Sequence, residues 1–171
     1  MRKAFGAAAI LLACLLCALL TLDREKRRIR RIQSLRAGLL ALQRALTDRL
    51  QPLEEIFRSL SQKSNDPQTE GLFQKLCDSF ASLGEIEFSR IWREAVTNCF
   101  YRDDPEIAEI LLPLGECLGG SELQRQCMEI DRAAGELERS INKRKEALPD
   151  KRRLTLGCLL SFGAFVVIVL I

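Results

Sequence analysis

Two long apolar runs without a charged residue, one at each end of the chain, constrain its fold more than any other feature. They cover residues 4–22 and 154–171. A helix over either run is about 27–29 Å long, close to the thickness of the hydrocarbon core of a bilayer. The pattern therefore predicts a transmembrane helix at each end, over residues 1–22 and 154–171, and a central domain over 23–153.

The amino-terminal run also has one feature of a secretory signal, because Met1, Arg2 and Lys3 precede it. A signal has a short apolar core that ends at a cleavage site of small residues. This run instead continues to Leu22 and then meets the charged residues 23–28. We favour an uncleaved membrane helix and keep a cleaved signal as the alternative.

Charge divides the central domain into basic flanks and an acidic body. Residues 23–36 hold seven Lys and Arg against two acids, and residues 143–153 hold six against two, whereas residues 37–142 hold eleven basic and nineteen acidic residues. Basic residues beside membrane segments are typical of cytoplasmic flanks. The flanks therefore predict a multi-pass protein of the cell membrane with its central domain in the cytoplasm, and membrane lipid rather than nucleic acid as their partner.

Apolar residues between the flanks recur every three or four positions, which is the period of an amphipathic helix. The first long stripe is Ile29, Ile32, Leu35, Leu39, Leu42, Leu46 and Leu50, and the last is Leu123, Cys127, Ile130, Ala134, Leu137, Ile141 and Leu148. We expect residues 29–50 and 123–148 to pair as antiparallel helices. Shorter helices are predicted from Pro52 to about Gln62, around Leu72–Leu83, around Ile86–Cys99, and from Asp103 to about Leu118. The predicted fold is an all-α bundle of about six helices.

The side chains that most often perform catalysis are scarce. The chain has no histidine, so a nucleophilic cysteine would lack its usual base and a zinc site its usual ligands. Cys77, Cys99, Cys117 and Cys127 form no C-x-x-C pair and are predicted to be reduced, small, buried residues. The sequence therefore predicts neither a metal nor a cofactor, and a protein that is not an enzyme.

The most unusual local pattern is LLPLGECLG at residues 111–119. Pro113 is expected to bend a helix, and Gly115 and Gly119 lie four residues apart, on one face where another backbone can approach. Glu116 lies near the end of the predicted helix, where the helix dipole disfavours an acid. One interpretation pairs Glu116 with Arg132 or Arg90 and makes Gly119 a helix cap. The other makes the bend, the glycines and the acid a surface that contacts a partner.

This pattern resembles the stage III sporulation protein AB family of endospore-forming bacteria. The resemblance rests on residues 109–112, 114–119, Gln126, Ile130, Leu137 and Glu138, and on the two terminal apolar runs, so that it covers the whole chain. The sharpest motif is formed by Leu114, Gly115, Glu116, Leu118 and Gly119. The family is similar to the inner-membrane platform proteins of type II secretion and type IV pilus systems, where a hydroxyl residue replaces Leu118.

The resemblance implies a noncatalytic platform in the mother-cell membrane around the forespore, within the transenvelope complex that endospore formation requires. It implies other stage III sporulation proteins as partners, a secretion-type ATPase among them, and it is compatible with a homo-oligomer. A membrane-anchored scaffold of another secretion or pilus-type system is the alternative. A membrane-bound enzyme and a secreted domain of reversed topology are the rivals from other classes.

Overall fold

A computed structural model of the protein describes the backbone of residues 2–48, 52–80, 86–120 and 122–170, and side chains chiefly within residues 20–148. The elements of this part of the chain are helices. In chain order they are α1 (Arg2–Asp48), α2 (Leu53–Lys63), α3 (Pro67–Ser79), α4 (Phe88–Val96) followed by a π-helical turn (Thr97–Tyr101), α5 (Pro105–Leu111), α6 (Leu114–Leu118) and α7 (Leu123–Leu170).

The chain divides into two compact units. The terminal unit consists of Met1–Ile29 with Asn142–Ile171, and the bundle unit consists of Arg30–Ile141. Among the residues described, no helix is both long and apolar enough to cross a bilayer. Most residues of the runs at 4–22 and 154–171, for which we predict transmembrane helices, lie outside the residues whose side chains are described.

Within the bundle unit, α1 and α7 run antiparallel, as predicted. Arg36 Nη2 donates a hydrogen bond of 3.1 Å to Glu138 Oε2, and Gln43 Nε2 donates one of 3.4 Å to the carbonyl oxygen of Cys127. Residue numbers therefore rise along α1 as they fall along α7. The facing stripes are buried, with Leu35, Leu39, Leu42, Ile130 and Leu137 all inaccessible to solvent.

The start of α3 shows how a short polar sequence positions a helix. Asp66 accepts a hydrogen bond of 3.0 Å from the backbone N–H of Thr69, which caps the helix, and Pro67 follows at the first position, where its missing N–H costs nothing. The same carboxylate lies 3.8 Å from Nε of Arg31. Arg31 also lies 3.9 Å from Asp103, in the turn before α5. One arginine of α1 therefore contacts the turns before α3 and α5.

Three details differ from the sequence prediction. Leu123 belongs to the predicted buried stripe of α7 but is 40% exposed, and it is the first residue of that helix. The segment at Thr97–Tyr101 adopts π-helical geometry. Helix α3 begins at Pro67, several residues before the apolar stripe that predicted it. The predicted end of this helix, around Leu83, lies outside the described residues.

The predicted count of helices is confirmed for the part of the chain that the structure describes if α5 and α6 are taken as one kinked helix. Leu112 and Pro113, between them, both keep right-handed helical angles. The kink lies at the proline, where the missing N–H and the ring prevent a regular turn. The bundle is thus an all-α domain of six helices, with α4 and the kinked helix between the two long helices in sequence.

Two helical glycines offer a matched test of this packing. A Cβ at Gly38 would lie 2.9 Å from Cε2 of the buried Phe73, whereas a Cβ at Gly71 would meet no atom within 4 Å. We expect Gly71→Ala to raise the free energy of unfolding by about 0.5–1 kcal/mol, because alanine favours the helix. Gly38→Ala should lower it by about 1–3 kcal/mol, because the buried ring of Phe73 would have to shift to admit the methyl group.

Both values can be measured by urea titration of the detergent-solubilised protein. The fluorescence of Trp92 provides the signal, because Trp92 is the only tryptophan of the sequence and is fully buried. Equal effects of the two substitutions would contradict the packing of Gly38 against Phe73.

Candidate functional site

The kinked helix is joined to α4 by a hydrogen bond in which Trp92 replaces the usual helical donor to the carbonyl oxygen of Leu111. The N–H of Gly115 donates to the carbonyl oxygen of Leu112 at 3.2 Å, one residue short of its α-helical acceptor Leu111. The carbonyl oxygen of Leu111 accepts a buried hydrogen bond of 2.8 Å from Nε1 of Trp92. A buried carbonyl without a partner would destabilise the fold by about 1–3 kcal/mol. The indole thus satisfies an acceptor near the proline kink.

Gly115 and Gly119 face α4 of the same chain. A Cβ at Gly115 would lie 2.7 Å from Cδ1 of Trp92, and a Cβ at Gly119 would lie 3.2 Å from Cβ of Phe88. Phe88 and Trp92 are also four residues apart, so two successive turns of α4 fit against two successive turns of the kinked helix. The close approach to Gly115 and Gly119 that their spacing predicts is therefore present, and the helix that approaches them is α4 of the same chain.

Gly119 occupies the C-cap of α6, but not in the conformation for which glycine is usually selected there. Its φ is −81°, within the right-handed region that every residue adopts. Left-handed geometry therefore gives no reason for glycine at this position. The 3.2 Å approach of Phe88 gives one.

The other apolar members of the motif are buried. Leu114 and Leu118 are in the core, and so is Cys117, which lies between Glu116 and Leu118 in the sequence. Behind Trp92 and Phe88 lies a group of aromatic rings around Phe57. The ring centroid of Phe57 lies 5.9–6.4 Å from the ring centroids of Phe73, Phe80, Phe88 and Trp92. Aromatic rings attract one another at such distances. The motif therefore rests on the aromatic core of the bundle.

Glu116 is the member of the motif whose side chain points outward, and 74% of it is exposed. Its carboxylate lies 3.8 Å from Nη2 of Arg93, itself 67% exposed. The prediction of Arg132 or Arg90 as its partner was wrong, because Arg132 bonds Glu129 and Glu136 on its own helix, at 2.8 Å each. An exposed pair at this distance contributes little to stability. The charge of Glu116 thus remains largely available to solvent or to a partner.

Glu116 belongs to an exposed acidic row on the kinked helix, which we call the acidic ridge and define as Glu106, Glu109 and Glu116. All three are exposed, and residues 103–124 contain no Lys or Arg. Glu109 and Glu116 are seven residues apart, two helical turns, so they lie near one face. Within the described residues Glu109 makes no ion pair, and Glu116 makes only the long one to Arg93. The ridge is suited to attract a basic partner.

The cysteines differ in burial. Cys117 is buried as predicted, whereas Cys77, Cys99 and Cys127 are half-buried, and all four are free thiols. Burial raises the pKa of the Cys77 and Cys99 thiols above the ordinary value, against the opposing charges of Arg58 and Lys75 respectively. Both are therefore uncharged near neutral pH and are weak nucleophiles. Within the described ranges no three potential ligands group around a metal position.

The packing around Gly115, Gly119 and Gly120 predicts that alanine affects stability differently at each of them. Gly115→Ala should lower the free energy of unfolding by about 1–3 kcal/mol, because its methyl group would overlap the indole and disturb the hydrogen bond to Leu111. Gly119→Ala should have a smaller effect, and Gly120→Ala should leave stability nearly unchanged, because nothing lies within 4 Å of its added carbon.

Denaturant unfolding, monitored by Trp92 emission, measures this order. A Gly115→Ala protein as stable as the Gly120→Ala protein would contradict the packing of the kinked helix on Trp92.

Comparisons with known proteins agree with the fold. A solved structure of stage III sporulation protein AB (SpoIIIAB) superposes with a TM-score of 0.64 over 72% of this chain and 97% of that chain, at 23% sequence identity. This likeness concerns the fold alone. A search of curated proteins finds no match. The sequence model of the stage III sporulation protein AB family matches residues 3–171. A match along nearly the whole chain shows that the protein belongs to the stage III sporulation protein AB family.

Proposed function

We propose that this protein is a noncatalytic platform component of the transenvelope complex between mother cell and forespore, and that it engages a secretion-type ATPase there. Membership of the family implies a role in sporulation. The observation that supports the finer proposal is the acidic ridge, an exposed row of carboxylates on a helix that packs against the aromatic core.

The residues of the motif have two different roles in this proposal. Leu114, Gly115, Leu118 and Gly119 fit the kinked helix to the core, while Glu116 directs its charge outward. A charge on a rigid mount loses little conformational freedom on binding, which favours recognition. Complementary charge also speeds association and selects among partners. The ridge is therefore the surface that we assign to a basic face of the ATPase.

The proposed location is the mother-cell membrane around the forespore, with residues 1–22 and 154–171 as anchors and the bundle in the cytoplasm. The two uncharged runs and the basic flanks beside them support it. A cytoplasmic location gives the bundle access to the ATPase and keeps its four free thiols in a reducing compartment. Other stage III sporulation proteins, and a second copy of this chain, complete the proposed set of partners.

The second candidate is a membrane-anchored scaffold of another secretion or pilus-type system. The similarity of the Gly115-Glu116 core to the motif of such platforms favours it. The two proposals differ in the ATPase that co-purifies with the protein from sporulating cells. Deletion of residues 37–142 should abolish either association, because it removes nearly the whole bundle.

The ridge can be tested by neutralising its charge without changing its shape. We expect Glu109→Gln/Glu116→Gln to reduce ATPase co-purification about fivefold or more at low salt, because two exposed ion pairs with the partner would be lost. The matched control is Glu55→Gln/Glu70→Gln, which makes the same charge change at exposed positions of α2 and α3.

The unfolding free energy of both double variants should stay within about 0.5 kcal/mol of the wild-type value, because each substitution is on the surface. Wild-type association of the ridge variant at every salt concentration would refute the assignment of the ridge. An equal loss in the control would attribute the effect to net charge instead.

The proposed orientation predicts how an engineered cysteine reacts. Asn65 is exposed in the turn between α2 and α3. In a variant that lacks the native cysteines, Asn65→Cys should react with a membrane-impermeant maleimide in broken cells and stay unlabelled in intact cells. Labelling in intact cells would refute the cytoplasmic location.

A further inference from the structure

The basic flanks contain two groups of cations with different surroundings. In the bundle unit, Arg31 lies 3.8 Å from Asp66 and 3.9 Å from Asp103, and Arg36 lies 3.1 Å from Glu138. These two arginines are bound to acids of the bundle. Both are half-buried there, so they are less accessible to a ligand than exposed cations are, although they belong to the same basic stretch of sequence as the cations that precede them.

The cations of the terminal unit have different surroundings. Arg24 and Lys26 of α1, and Lys143 and Lys145 of α7, are exposed and form no ion pair with any described residue. We call these four residues the cationic collar. Arg27 of the same unit pairs with Asp23 at 2.8 Å, although 71% of its side chain remains exposed. Two helices thus bring four unpaired cations into one compact unit.

We propose that the cationic collar binds the headgroups of anionic phospholipids. The inference rests on the proposed membrane location and adds the chemical class of lipid that the terminal unit selects. Unpaired ammonium and guanidinium groups are complementary to phosphate oxygens and are attracted to an anionic bilayer surface. In α1 the uncharged run at residues 4–22 precedes the collar, and in α7 the uncharged run at residues 154–171 follows it.

The charges of the bundle favour a lipid surface over nucleic acid. Residues 37–142 carry eight more acids than bases, so a long polyanion that reached beyond the collar would be repelled. A headgroup is small enough to contact the collar alone. The attraction of each basic residue to an anionic surface corresponds to about fivefold in the binding constant. Four cations therefore predict a strong preference for anionic over zwitterionic lipid, and added salt should weaken this preference.

The test uses the full chain in non-ionic detergent micelles doped with equal amounts of phosphatidylglycerol and phosphatidylcholine, with native mass spectrometry to count the lipids retained. We expect the wild-type protein to retain phosphatidylglycerol over phosphatidylcholine by about tenfold or more at low salt. Arg24→Gln/Lys26→Gln/Lys143→Gln/Lys145→Gln should reduce this ratio to near one. Equal retention of the two lipids by the wild-type protein would overturn the proposal.

The matched control removes four exposed cations from the bundle, in Lys63→Gln/Lys75→Gln/Arg90→Gln/Arg102→Gln. It should keep the wild-type preference, and a loss equal to that of the collar variant would overturn the proposal. Soluble glycerol 3-phosphate at the same concentration should not displace the lipid; displacement would indicate a site for free phosphate. A single-stranded oligonucleotide that displaced the lipid would indicate a nucleic-acid site instead.

The lipid proposal and the ATPase proposal can be refuted independently of each other, because their tests alter different residues. The collar variant keeps Glu109 and Glu116, so it should still co-purify with the ATPase at the wild-type level if the ridge is the docking surface. Loss of lipid selectivity with normal ATPase association supports both proposals. Normal lipid selectivity with no ATPase association in the wild-type protein would overturn the platform proposal and leave the lipid site intact.

Discussion

The hydrogen bond from Trp92 to the carbonyl oxygen of Leu111 connects the proline kink with the core of the bundle. Pro113 prevents a regular helical turn, and the N–H of Gly115 bonds Leu112 instead of Leu111. The indole can reach the Leu111 oxygen because Gly115 has no side chain in its path. The position of α4 against the kinked helix, and of the aromatic rings around Phe57, depends on this contact.

That contact also determines which residues face solvent. Once Gly115 and Gly119 are turned towards α4, helical geometry directs Glu116 to the outside. Glu109, two turns earlier, faces outward as well. The acidic ridge is thus a consequence of the internal packing, and residues 103–124 supply no Lys or Arg beside it. The same motif therefore has a structural part and an exposed part.

Much of the fold could be predicted from periodicity, because buried stripes in amphipathic helices leave a direct pattern in the sequence. Leu35, Leu39, Ile130 and Leu137 were assigned to the core in this way and are buried. Leu123 fits the same period but is exposed, since periodicity along one helix does not indicate which of its residues another helix covers. The π-helical turn at Thr97–Tyr101 leaves no comparable pattern, because it involves only five residues.

The sequence by itself determined the helical class, the bend at Pro113 and the closeness of some backbone to Gly115 and Gly119, because each follows from local stereochemistry or from spacing along one helix. Two matching apolar stripes in addition predicted the antiparallel pair of long helices. Only the tertiary structure decided what occupies those positions. It placed Trp92 and Phe88 against the glycines, paired Glu116 with Arg93 rather than with Arg132 or Arg90, and distinguished the half-buried arginines paired with acids in the bundle from the exposed residues of the cationic collar. The physical reason is that partners distant in sequence are selected by the packing of whole helices, which charge and spacing along the chain do not encode.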